Sequence, residues 1–247
     1  MTSRMAQNRR LINVFGRSSG TITLNVDRGG DLSLMTRLNL IRVWRDGSVL
    51  FIGFLVSIFL VTGLAQSSGQ GTQGLSINLL QGGTWPIAIL ALNWCYYERA
   101  NLWLPVVGGK ALTTYFKGLM FSLMIIGLIV SAVMLSVLVA VGKAPTMSDV
   151  AFMAGALVGD SVVATMLLTR IKVQPGAFSP GLLVVLFVTF IAGAVVGFTA
   201  SLLVGAIGGS STVLIALQGV VTAVFAGVVA FVGATSLGGL VKGFEFS

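Results

Sequence analysis

The chain is 247 residues long with a formal net charge of +8, is 55% apolar but only 9% charged, and has a mean hydropathy of +0.99. Soluble domains are about 25% charged, so this composition excludes an ordinary soluble fold and points to an all-α, polytopic membrane protein. One cysteine, Cys95, excludes an internal disulfide framework, and the absence of histidine removes the usual zinc ligand and acid–base group.

The N-terminal residues 1–31 are polar and Gly/Ser-containing and read as a flexible cytoplasmic tail. Eight of the fifteen basic residues are arginines ahead of residue 48. No apolar core with a small-residue cleavage site follows the start, so no cleaved leader is expected. These arginines are read as topological, holding the N-terminus in the cytoplasm; nucleic acid is not an expected partner.

Residues 32–46 predict a cytoplasmic amphipathic helix at the membrane surface, with Leu34, Leu38 and Ile41 at helical spacing and Arg37, Arg42 and Arg45 on the polar side. Trp44 would sit at headgroup level. A span needs about 20 mostly apolar residues. About six spans are expected, near 48–65, 84–97, 114–141, 148–169, 181–205 and 212–241, within one membrane domain over 32–247. An even count puts both termini inside and leaves only Lys143 of the fifteen basic residues outside. The expected location is the cell membrane, with the lipid bilayer as solvent.

Small residues four apart allow helix backbones to approach in lipid, where no hydrophobic force drives association. Gly155 with Gly159, Gly193 with Gly197, and a Gly219–Ala223–Gly227 stripe are candidates for helix packing.

Asp160 is the chemical oddity, falling near the centre of the fourth expected span beside Ser161. An ionised carboxylate there costs several kcal/mol unless hydrated, paired or protonated. Asp149 stands eleven residues earlier, so both acids project within about 20° of one another. Asp160, Ser161 and Asp149 are candidates for lining a pathway or coupling to protons; the competing reading is an acid bonded to a neighbouring helix. A facing second acid and the full Gly-x-Gly-Asp setting are missing, so no aspartyl-protease dyad is expected. No phosphate-binding Gly-x-x-x-x-Gly-Lys-Ser/Thr loop occurs. The chain is therefore read as a non-enzyme that binds no metal and no cofactor itself.

The segment between the second and third expected spans, residues 96–118, joins Glu98-Arg99 to Asn101-Leu102-Trp103, Pro105, a Gly-Gly turn with Lys110, and Tyr115-Phe116-Lys117. From its residues alone it reads as an ordinary loop with interfacial aromatics and topogenic charges, or as a surface helix that docks a cytoplasmic partner. Together with the arginine-bearing LNLIRVWRDG segment ahead of the first span, it resembles the permease subunit of type-2 ABC transporters, an exporter class. The resemblance covers roughly residues 32–243, its specific part being about 40 residues; the loop between the fifth and sixth spans is shorter than in many members. It implies a half-transporter of six helices that moves a substrate while a separate ABC ATPase subunit hydrolyses ATP. It further implies that Glu98, Arg99, Asn101, Lys110 and Lys117 couple to that ATPase, and that the chain forms a homodimer or a heterodimer with a related permease. Other readings are a secondary transporter or channel using Asp160 as its coupling group, and a non-transporting membrane assembly protein.

Overall fold

Apolar, charge-poor stretches dominate the C-terminal half of the chain, and in lipid a backbone must satisfy its own polar groups, which favours long helices. The computed structural model describes residues 31–45, 58, 85–97, 112–140, 142, 145–170 and 180–241. Within them the ordered elements are helices: α1 (Asp31–Arg45), α2 (Trp85–Tyr97), α3 (Leu112–Ala140), α4 (Met147–Leu168), α5 (Pro180–Ile207) and α6 (Thr212–Val241). All belong to one compact unit that begins at Asp31.

Four of these helices, α3 to α6, are long and apolar enough to cross a membrane. At 1.5 Å per residue they measure about 33 to 45 Å, against a hydrocarbon core of about 30 Å. Their outer faces carry exposed Leu128, Val133, Phe187, Ile191, Val195, Val224 and Phe231. Apolar surface of that extent belongs in lipid. The protein is thus a helical, membrane-embedded chain. The first expected span, 48–65, lies outside the described residues except Ile58. The second is occupied by α2, whose 13 described residues cover about 20 Å.

Helix α4 is the hub, packing against α2, α3, α5 and α6. In its most apolar window 72% of the residues are buried, against 11% for α6, so α4 is the axis and α6 lies at the periphery. Six residues join α3 to α4, too few to return along a helix of that length, and the two run antiparallel. Gly127 of α3 meets Leu157 of α4 across this contact and Ile87 of α2 on its flank. Gly155 facing Ala200, and Gly159 facing Gly193, make α5 antiparallel to α4. Gly219 near Met147 and Gly233 on Val162 make α6 parallel to α4. The tight α5–α6 connection uses Gly208 (φ 61°) and Gly209 (φ 82°) in the left-handed region that favours glycine.

One end of the bundle therefore holds the α3–α4 and α5–α6 connections. The other holds the start of α3, the end of α4 and helix α1. Helix α1 docks through Met35, whose Cβ would lie 2.6 Å from any Cβ added at Gly118. The buried face of α1 is Met35 and Asn39, with Leu38, Leu40 and Val43 half-buried beside them. That face is rotated roughly 110° from the Leu34–Leu38–Ile41 line. Gly118 explains the difference: the missing side chain admits Met35, and Ile41 and Trp44 are left exposed on the side available to lipid and headgroups.

Candidate functional site

The α4–α5 contact is built from small residues. A Cβ on Gly155 would meet Ala200 Cβ and the Val196 carbonyl oxygen at 2.9 Å, and one on Gly197 would meet the Phe152 carbonyl oxygen at 2.8 Å. A Cβ on Gly159 would meet Val196 Cβ at 2.9 Å and Gly193 Cα at 3.3 Å. Close approach of this kind is what small residues provide in lipid. Phe152 and Phe198 close one flank edge to face, with ring centroids 5.2 Å apart.

Asp160 lies inside this contact with 3% of its surface exposed. Its carboxyl rests on the backbone of Gly193, where an added Cβ would come within 2.5 Å of Cγ. Ser161, fully buried, is turned about 100° away from Asp160 and donates its hydroxyl to the Leu157 carbonyl at 2.8 Å. Asp160 and Ser161 are neighbours in the chain on different faces of α4.

Asp149 stands at the first turn of α4, about 16 Å along the axis from Asp160. Its carboxylate accepts hydrogen bonds from the Thr146 amide at 2.8 Å and the Thr146 hydroxyl at 2.7 Å. The Asp149 amide in turn donates to the Thr146 hydroxyl at 3.2 Å. This reciprocal capping box satisfies orphan amides at the helix start. Its signature, Thr146-Met147-Ser148-Asp149, was available in the sequence. The two acids share a side of the helix, but the structure does not bring them together.

A residue that sequence reasoning passed over is Thr189. It is fully buried on α5, one turn from Gly193, and its hydroxyl has no hydrogen-bond partner among the described residues. Other helical hydroxyls here turn back onto a carbonyl four residues earlier: Thr165 onto Ser161 at 2.7 Å, Thr199 onto Val195 at 2.9 Å, Thr222 onto Gln218 at 2.9 Å. Beside Thr189, Phe190 meets Trp85 of α2 edge to face at 5.5 Å. Pattern alone could not have singled it out, since nothing in spacing separates a satisfied threonine from an unsatisfied one.

Of the proposed coupling residues, Lys117 is half-buried in the second turn of α3, next to the Met35–Gly118 contact. Glu98, Arg99, Asn101 and Lys110 lie outside the described residues. Every lysine and arginine among the described residues, Arg37, Arg42, Arg45, Lys117 and Arg170, belongs to the α1 end of the bundle. Gly227 is exposed on α6, and a Cβ there would meet nothing within 4 Å among the described residues. No cluster of three or more potential metal ligands occurs among the described residues. No protein-family model, curated protein or solved structure matches the chain.

Proposed function

We propose that this chain is the membrane-spanning permease subunit of an ABC exporter, moving its substrate with ATP hydrolysed by a separate subunit. The observation that carries the reading is the docking of arginine-bearing α1 onto Gly118, at the same end as Lys117 and Arg170. Positive charge gathered at one end marks the cytoplasmic side, so both termini face the cytoplasm and the loop from Glu98 to Lys117 opens there. Glu98 and Arg99 then form the contact with the ATPase, and Lys117 and α1 border it. A dimer of this chain, or a pair with a related permease, encloses the pathway, and the smooth α4–α5 contact lets helices shift as the ATPase cycles.

The test is affinity purification from native membranes in mild detergent. The reading expects an ATP-binding subunit in stoichiometric amount. Its reproducible absence, together with transport that survives Glu98→Ala, would contradict it. Burial of Asp160 within α4 favours a second reading, a secondary transporter or channel in which that carboxyl couples to ion or proton flux. That reading expects flux without an ATPase, abolished by Asp160→Asn.

A further inference from the structure

Helix α1 turns Arg37, Ile41 and Trp44 away from the bundle. Spaced four and three apart, they fall within about 60° of one another and roughly opposite Met35 and Asn39. Trp44 is 76% exposed and Ile41 37%, and Arg37 is exposed between them. The outer faces of α5 and α6 differ, since both helices are without charge throughout, as contact with lipid chains requires. A face that interleaves a cation with a tryptophan and an isoleucine suits neither bulk water nor hydrocarbon. Water would leave its apolar surface unburied, and lipid chains would strip the guanidinium of hydration.

The depth of α1 agrees with that chemistry. Met35 packs against Gly118 of α3, six residues and about 9 Å from the start of that helix. The 29 residues of α3 extend about 44 Å, so a centred hydrocarbon core of about 30 Å leaves about 7 Å beyond it at each end. Gly118 therefore lies at the boundary between lipid chains and headgroups, where half-buried Lys117 can carry its ammonium outward. Because α1 meets the side of α3 and not its end, its outer face looks along the membrane plane. Neighbouring headgroups stand in that direction, whereas a soluble protein approaches along the membrane normal.

We propose that the outer face of α1 is a binding site for anionic phospholipid. Arg37 pairs with the headgroup phosphate through the two-pronged geometry that a guanidinium offers to phosphate. Trp44 and Ile41 bury at the adjoining edge of the acyl chains. Charge favours an anionic headgroup over a zwitterionic one, because α1 carries three arginines against one acid, Asp31. An arginine close to an anionic surface strengthens binding roughly five-fold. Lipid on one face and Gly118 on the other hold α1 in place, whether or not an ATPase drives the chain.

A nitroxide at exposed Ser33, one turn from Arg37, reads the immersion of this face in the full chain. The labelled chain carries Ser33→Cys and Cys95→Ser and is reconstituted in vesicles. Exchanging part of the phosphatidylcholine for phosphatidylglycerol should raise the ratio of oxygen to neutral nickel-chelate accessibility several-fold. Salt at about 1 M should reverse most of that rise, and Arg37→Gln should remove most of it. A ratio indifferent to phosphatidylglycerol, or one that rises equally in Arg37→Gln, overturns the proposal. So does a label shielded from both reagents, in these vesicles or in native membranes, because a protein then covers the face. Native mass spectrometry of the detergent-solubilised full chain is the second readout. Its preference for phosphatidylglycerol over phosphatidylcholine should fall roughly five-fold in Arg37→Gln and stay unchanged in Arg170→Gln. An equal fall in both variants, or none in Arg37→Gln, overturns the proposal.

Discussion

The Asp160 carboxyl occupies the space that a side chain at Gly193 would need: an added Cβ would fall 2.5 Å from Cγ. Gly193→Ala should therefore force α4 and α5 apart or drive the carboxyl from its seat. Overpacking of this kind costs about 1–3 kcal/mol. The measurement is the unfolding midpoint in detergent–SDS mixtures. Gly227→Ala on exposed α6 is the comparison, and should change stability by less than about 0.5 kcal/mol. Because the clash is with one group, Asp160→Ala combined with Gly193→Ala should cost clearly less than the sum of the single changes. Additive losses would place the strain elsewhere.

Gly118 does for α1 what Gly193 does for Asp160. Gly118→Val should displace α1 from α3, since Met35 Cβ and the Met35–Thr36 backbone already lie within 3.1 Å of an added Cβ. Membrane insertion should be unchanged. Limited proteolysis of inside-out vesicles should then cut near residues 31–45 markedly faster than in the parent chain. If α1 were held by lipid alone, the cleavage rate would not move.

Asp149 separates a structural role from a pathway role. Thr146→Ala and Asp149→Ala each break the capping box at the start of α4, and loss of such a cap costs about 1 kcal/mol. The double change should cost little more than either alone, because both remove the same pair of contacts. A chain in which Asp149→Ala leaves stability intact but alters flux would show that the acid acts on the pathway instead.

Much of the architecture follows from apolar run length. The expected spans at 114–141, 148–169, 181–205 and 212–241 correspond to α3 at 112–140, α4 at 147–168, α5 at 180–207 and α6 at 212–241. Each is a long apolar run with few charges (Lys117 in α3, Asp149 and Asp160 in α4, none in α5 or α6), and the α4 capping residues and the α5–α6 glycines are themselves readable. Which faces meet was far less legible. These helices are apolar almost all round, so periodicity says little about neighbours. Gly155, Gly159, Gly193 and Gly197 meet at the α4–α5 contact, whereas in the equally small-residue stripe of α6 Ala223 and Gly227 are exposed. Spacing cannot tell those two cases apart. On α1 the obvious Leu34–Leu38–Ile41 line yields to Met35 and Asn39, because the partner surface is a glycine. Asp160 stood out in the sequence through its charge. The glycine it rests on, and the unpartnered Thr189 hydroxyl one turn away, emerge only from the packing.

The proposed permease role requires the basic end of the bundle to dock an ATPase through the segment that begins at Glu98. The most direct measurement is co-purification of an ATP-binding subunit with the native chain and with Glu98→Ala, alongside a check of membrane insertion for both. The expected result is a stoichiometric complex with the native chain and its loss, with insertion unchanged, in the variant. An ATP-binding subunit that never accompanies the native chain, or one bound equally well by Glu98→Ala, would contradict it.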